Sequence, residues 1–307
     1  MVLPGGSESA VVLAIPPTDL RQLAEHGATP RTFAGGAGPL AALDTGGGAA
    51  VGTVLLVAGF TGSKEDFAPL LAPLARAGVR AVAVDQRGQY ESPGPDDPAR
   101  YTVAELATDV LAVARELRED TAGPVHLVGH SFGGLVSRAA VLADPEAFTS
   151  LTLLGSGPAG LTGPRAQMLG HLQPLLETGG VTAVHGAMEQ LATTDARARA
   201  VPAATRAFLS RRFLRNSPAG LRGMADAMLG EPDRTAELAA TGLPVLVVHG
   251  EADDAWTPAA QAEMARRLGA RHEAVPGSVH SPAVENPPRT LEVLLDFWAA
   301  AVAGGGV

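Results

Sequence analysis

The stretch Leu127-Val128-Gly129-His130-Ser131-Phe132-Gly133-Gly134 decides the reading of this chain. An apolar run ends in Gly-x-Ser-x-Gly, and a helical pattern follows over residues 132–143. That succession predicts a strand turning sharply into a helix, with the Ser131 hydroxyl lifted above the sheet. Gly129 and Gly133 remove the β-carbons that would collide in so tight a bend. A serine presented this way is a candidate nucleophile if the chain also supplies a base, an acid and donors for an oxyanion.

Both partners have candidates downstream. Residues 243–249 read as a buried strand and lead into the carboxylate-rich turn Gly250-Glu251-Ala252-Asp253-Asp254. Further on, Gly277-Ser278-Val279-His280-Ser281-Pro282 places a histidine in a loop after a short strand pattern. Histidine would take the serine proton and return one to the leaving group, while a carboxylate fixes its tautomer. Of eight histidines, His280 alone combines a late position with a loop. His26, His171 and His185 fall on helical patterns, His272 lies within the short strand pattern, and His249 ends a strand beside the acid turn. His126 and His130, four residues apart on a strand, would stand roughly 13 Å apart, too far to share a metal. The acid is one of the adjacent carboxylates Asp253 and Asp254, the second of which could instead begin the next turn or cap a helix near Pro258.

Together these segments resemble the α/β-hydrolase family, over roughly residues 30–300. The order Ser131, Asp253, His280 is the family's order. Val54-Leu55-Leu56-Val57-Ala58-Gly59-Phe60-Thr61-Gly62 resembles its strand and oxyanion loop, usually His-Gly-x. Asp85-Gln86-Arg87-Gly88-Gln89-Tyr90-Glu91-Ser92 resembles its Asp-x-Arg-Gly-x-Gly-x-Ser loop, and Gly250 to Asp253 with Pro258 beyond resembles its acid-bearing turn. Ala58 stands where the family usually has His, and Tyr90 where it has Gly. The resemblance implies a mostly parallel sheet flanked by helices, an oxyanion hole from the Phe60 and Phe132 N–H groups, and no cofactor or metal. A serine nucleophile also sets the chain apart from the dehalogenase and epoxide-hydrolase branches, which use aspartate.

Composition sets outer bounds. The 307 residues fit one large α/β domain with an insertion, or two ordinary domains, and 46% hydrophobic content is ordinary for a globular protein. A net charge of −9 and the lack of any basic cluster argue against a nucleic-acid surface. Without cysteine there is neither disulfide framework nor thiol chemistry. The first residues lack the positive flank of a signal peptide, and no apolar run approaches 18 residues, so the expectation is a cytoplasmic protein with no membrane span.

Apolar strands at 53–58, 80–84, 125–129, 150–154 and 244–249 alternate with helical patterns at 65–77, 103–119 and 132–143. A short helical pattern also lies near Thr18–His26, and Arg289–Val302 reads as a final helix. Asp85 and Arg87 read as a loop-bracing ion pair. Between Gly155 and Gly242 the strand rhythm stops, and helical pieces recur at 166–176, 181–191, 203–214 and 221–229. The expectation is a core of residues 1–155 and 242–307 with a helical cap at 156–241. Met168, Leu172, Phe208 and Met224 on the cap, with Trp256 beside the acid, are candidate substrate contacts. A carboxylic ester is the broadest substrate class these residues suit. Thioester, lactone, amide, carbon–carbon hydrolysis and perhydrolysis are open to the same residues, and a small-molecule receptor without activity is the competing class.

Overall fold

Five apolar runs make the centre of the molecule. The strands β3 (Gly52–Val57), β4 (Val79–Val84), β5 (Val125–His130), β6 (Ser150–Leu154) and β7 (Val245–Gly250) are buried along their whole lengths. Such two-sided burial is what parallel strands with covered faces require. The computed structural model describes residues 22–47, 51–121, 123–194 and 196–304. Within them the strands form one eight-stranded sheet in the order β1-β2-β4-β3-β5-β6-β7-β8. β1 (Thr29–Gly35) and β2 (Gly38–Asp44) form an antiparallel hairpin, and β2 pairs antiparallel with β4. All other neighbours are parallel, out to β8 (Arg271–Val275) at the far edge.

Helices cover both faces. On one, α2 (Val103–Thr121), α3 (Phe132–Ala143) and α9 (Pro258–Leu268) press Val110, Leu135 and Met264 onto Leu55, Leu127 and Val247. On the other, α1 (Ala68–Arg76) and α11 (Pro287–Gly304) pack Leu71, Leu74, Leu294 and Trp298 against Val54, Val128 and Leu246. The fold is an α/β-hydrolase fold, as expected. The helical pattern near Thr18–His26 lies largely outside the described residues; Gln22 and Leu23 form a turn.

Between β6 and β7 the described residues contain helices and no strand: α4 (Gly163–Ala192), α5 (Ala196–Ala200), α6 (Ala203–Leu214), α7 (Pro218–Gly230) and α8 (Thr235–Ala240). The separate patterns at 166–176 and 181–191 are two halves of α4, broken at Gly180, whose φ of 66° and ψ of −170° no helix contains. Only Val181 and Val184 of α4 are buried.

One structural expectation needs correction. Asp85 and Arg87 do not pair with each other. Asp85 holds Lys64, the only lysine of the chain, through Nζ at 2.9 Å, and Arg87 binds Asp109 at 2.7 Å. Each charge is buried, so each takes the carboxylate or ammonium that reaches it squarely.

Candidate active site

Ser131 links β5 to α3 with φ 55° and ψ −122°, a conformation non-glycine residues avoid. Its N–H donates to the Leu154 carbonyl at 2.9 Å, which anchors the strained turn to the neighbouring strand. A β-carbon at Gly129 would run into the Gly133 carbonyl, and one at Gly133 into the carbonyls of Val57 and Ala58. The two glycines therefore allow the strand, the turn and the oxyanion-loop segment to meet.

Three side chains from separate loops join in a chain of hydrogen bonds. His280 Nε2 lies 2.9 Å from Ser131 Oγ, and His280 Nδ1 lies 3.0 Å from Asp253 Oδ1. Asp253 Oδ1 also accepts the Ala255 N–H at 2.9 Å, and its Oδ2 accepts from Gln261 Nε2 at 3.0 Å. Burial pushes the Asp253 carboxyl up, but His280 and these donors outweigh it and hold the group below its ordinary value. Asp254 points elsewhere. Its side chain is 54% exposed and meets Arg165 of α4 at 2.5 Å.

The histidine loop is clamped from two sides. Glu285, the last residue of α10 (Pro282–Glu285), accepts the N–H groups of Val279 at 2.6 Å and Ser281 at 3.1 Å, on either side of His280. His130 Nε2 lies 2.8 Å from the His280 carbonyl; a carbonyl only accepts, so His130 is the donor. Burial, reinforced by the nearby His280, pushes His130 down to about 4, so it is neutral near pH 7.

Gly59 approaches so closely that a β-carbon there would lie 3.0 Å from that of Ser131. The following N–H, that of Phe60, and the first N–H of α3, that of Phe132, have no hydrogen-bond acceptor among the described residues. Tyr90, at the position the family fills with Gly, keeps the positive φ, 42°, that explains the family's choice. Its ring packs edge-on against Phe208, 5.8 Å between centroids.

A cavity of about 700 Å³ opens onto Ser131 and His280. Phe60, Met168, Leu172 and Trp256 line it. Trp256 also donates its indole N–H to the Ala159 carbonyl at 3.0 Å, which fixes the ring as part of the wall. Phe208 and Met224 do not line the cavity. Phe208 is spent on Tyr90, and Met224 is 1% exposed with its sulfur against Gln89. Helical spacing identified their buried faces without showing what buries them. Among the described residues, no three His, Asp or Glu side chains gather to hold a metal ion.

The geometry invites comparison with known proteins. A model of the alpha/beta hydrolase family matches residues 54–293. The chain belongs to this family. A relative from Variovorax paradoxus, named as a candidate carbamate hydrolase (RutD), is 41% identical over 104 residues. That match is local, covering 34% of this chain and 37% of the relative. An esterase from Thermogutta terrifontis superposes with a TM-score of 0.74 at 23% identity, covering 89% of this chain and 99% of its own. An enol-lactonase from Burkholderia xenovorans gives a TM-score of 0.73 at 22% identity, covering 88% of this chain and 100% of its own. None of this chain's described helices is long and apolar enough to cross a membrane.

Several members of the site carry no sequence signal. Gln261 sits one turn inside α9, and Glu285 five residues beyond His280; neither belongs to a sequence motif. Gln86 and Gln89 occupy the variable positions of the Asp-x-Arg-Gly-x loop. Only the folded chain brings them to the loops they hold.

Proposed function

We propose that this α/β hydrolase cleaves a carboxylic ester through an acyl-enzyme on Ser131. His280 Nε2 takes the Oγ proton as Oγ attacks the carbonyl, and the tetrahedral oxyanion lies against the Phe60 and Phe132 N–H groups. Collapse of that intermediate breaks the bond to the leaving alcohol, which receives the proton from His280. Water then attacks the acyl-enzyme, again deprotonated by His280, and the acid departs while the proton returns to Ser131. Asp253 keeps the Nδ1 proton of His280 in place and balances the imidazolium. The observation that carries this reading is the Ser131–His280–Asp253 hydrogen-bond chain at the mouth of a largely apolar cavity.

In the same reading residues 156–241 form a cap over a core of 1–155 and 242–307, and α4 supplies the acyl wall. Lactones and carbamates, named for two of the proteins it resembles, belong in the first substrate panel beside simple esters. The test is Ser131→Ala. It should fold normally and lose several orders of magnitude in kcat on p-nitrophenyl esters, along with labelling by a fluorophosphonate. Turnover near that of the parent enzyme would overturn the mechanism.

A further inference from the structure

Two buried glutamines face the oxyanion loop from below. Gln86 Nε2 lies 2.7 Å from the Ala58 carbonyl, and Gln89 Nε2 lies 2.9 Å from the Gly59 carbonyl. Both side chains are nearly sealed, at 4% and 1% exposed. Their orientation is forced, because a carbonyl can only accept and so must meet the amide nitrogen. The opposite oxygens, Gln86 Oε1 and Gln89 Oε1, are buried with no partner among the described residues. Leaving buried acceptors unpaired opposes folding, so two apolar side chains would serve the packing better. What the amides contribute is two donors aimed at two consecutive peptide groups.

The second peptide group matters most. The Gly59 carbonyl and the Phe60 N–H belong to one planar trans peptide unit and point in opposite directions. Holding the carbonyl therefore aims the N–H. We propose that Gln89, assisted by Gln86, is a positioning residue for the oxyanion hole, taking up the bracing of a loop in which Ala58 offers no polar side chain. The Gly59 carbonyl accepts one further bond, from the Gly62 N–H at 3.0 Å. That bond closes a turn within the loop, whereas Gln89 ties the loop to the sheet-end segment after β4. Gln89 thus fixes the peptide plane relative to Ser131, across which Gly59 makes its close approach.

The inference rests on the serine mechanism proposed above, and its test keeps the two apart. Gln89→Met preserves length and volume but removes the donor, and can rest its thioether where Met224 already accepts a soft contact. The expected result is a roughly 10- to 100-fold fall in kcat with KM little changed. Affinity for a trifluoromethyl ketone, whose tetrahedral adduct needs the hole, should fall by the same factor as kcat/KM. Gln89→Glu, which keeps an oxygen but presents no donor unless protonated, should be equally impaired at pH 8. Melting curves for each variant confirm that the fold is retained. Unchanged kcat in a folded Gln89→Met, or a loss confined to KM, would overturn the positioning role. If Ser131→Ala is inactive in the same assay, that failure belongs to the glutamine alone. An active Ser131→Ala would instead overturn both readings.

Discussion

Asp253 and Asp254 stand side by side after β7, and what separates them is where each carboxylate ends. Asp253 is 4% exposed and accepts from Ala255 and Gln261 while facing His280. Asp254 is at the surface with Arg165. Asp253→Asn should therefore lower kcat by several orders of magnitude, since asparagine keeps the shape but favours the wrong histidine tautomer. Asp254→Asn should stay within about threefold of the parent enzyme, because an exposed ion pair is worth only about 0–1 kcal/mol. Equal losses for the two, measured as kcat on one short ester, would move the acid to Asp254. The order and spacing of Ser131, Asp253 and His280 were legible because the nucleophile turn and the acid turn are local patterns. Glu285 and the glutamines were not, since a side chain that braces another loop leaves no local periodicity.

Among elements, the central strands were legible to within a residue or two because burial on both faces demands unbroken apolar runs. The edges were harder to read. β1 and β8 carry mostly exposed or half-exposed residues, so neither shows a continuous run. α4 was legible as two helical pieces, 166–176 and 181–191, and the chain does break between them, at Gly180. In its first half Arg165, Met168, Leu169, Leu172, Gln173 and Leu176 line the cavity at helical spacing, so one face of that half looks into the pocket. Leu172→Trp should fill part of that space without touching Ser131. Long p-nitrophenyl esters should lose at least about tenfold in kcat/KM, while the acetate stays near the parent value. An equal loss at every chain length would remove α4 from the acyl wall and send the search to the core loops.

At the scale of the whole molecule, the central strand β5 carries a titration that couples pH to stability. His126 is 1% exposed, stacks on Trp298 of α11 with 5.2 Å between centroids, and shares a 2.8 Å hydrogen bond with Ser150 Oγ. Burial alone pushes it down from 6.5 to about 4. His130, at the end of the same strand, is also pushed to about 4. Each is neutral when folded near pH 5, whereas the unfolded chain binds a proton there. The unfolded state thus takes up more protons, and stability must fall as pH drops from about 6.5 towards 4. For one such histidine the loss between pH 8 and pH 5 is roughly 2 kcal/mol. Carboxylates held low, Asp253 among them, contribute their own losses mainly below that window. His126→Asn keeps a polar atom for Ser150 but cannot titrate, so it isolates the effect. It should be less stable than the parent at pH 8, having lost the stacking on Trp298, yet lose about 2 kcal/mol less between pH 8 and pH 5. Urea unfolding of both proteins at the two pH values measures the difference. Parallel declines would mean that the loss of stability in mild acid arises elsewhere than in the buried His126 imidazole of β5.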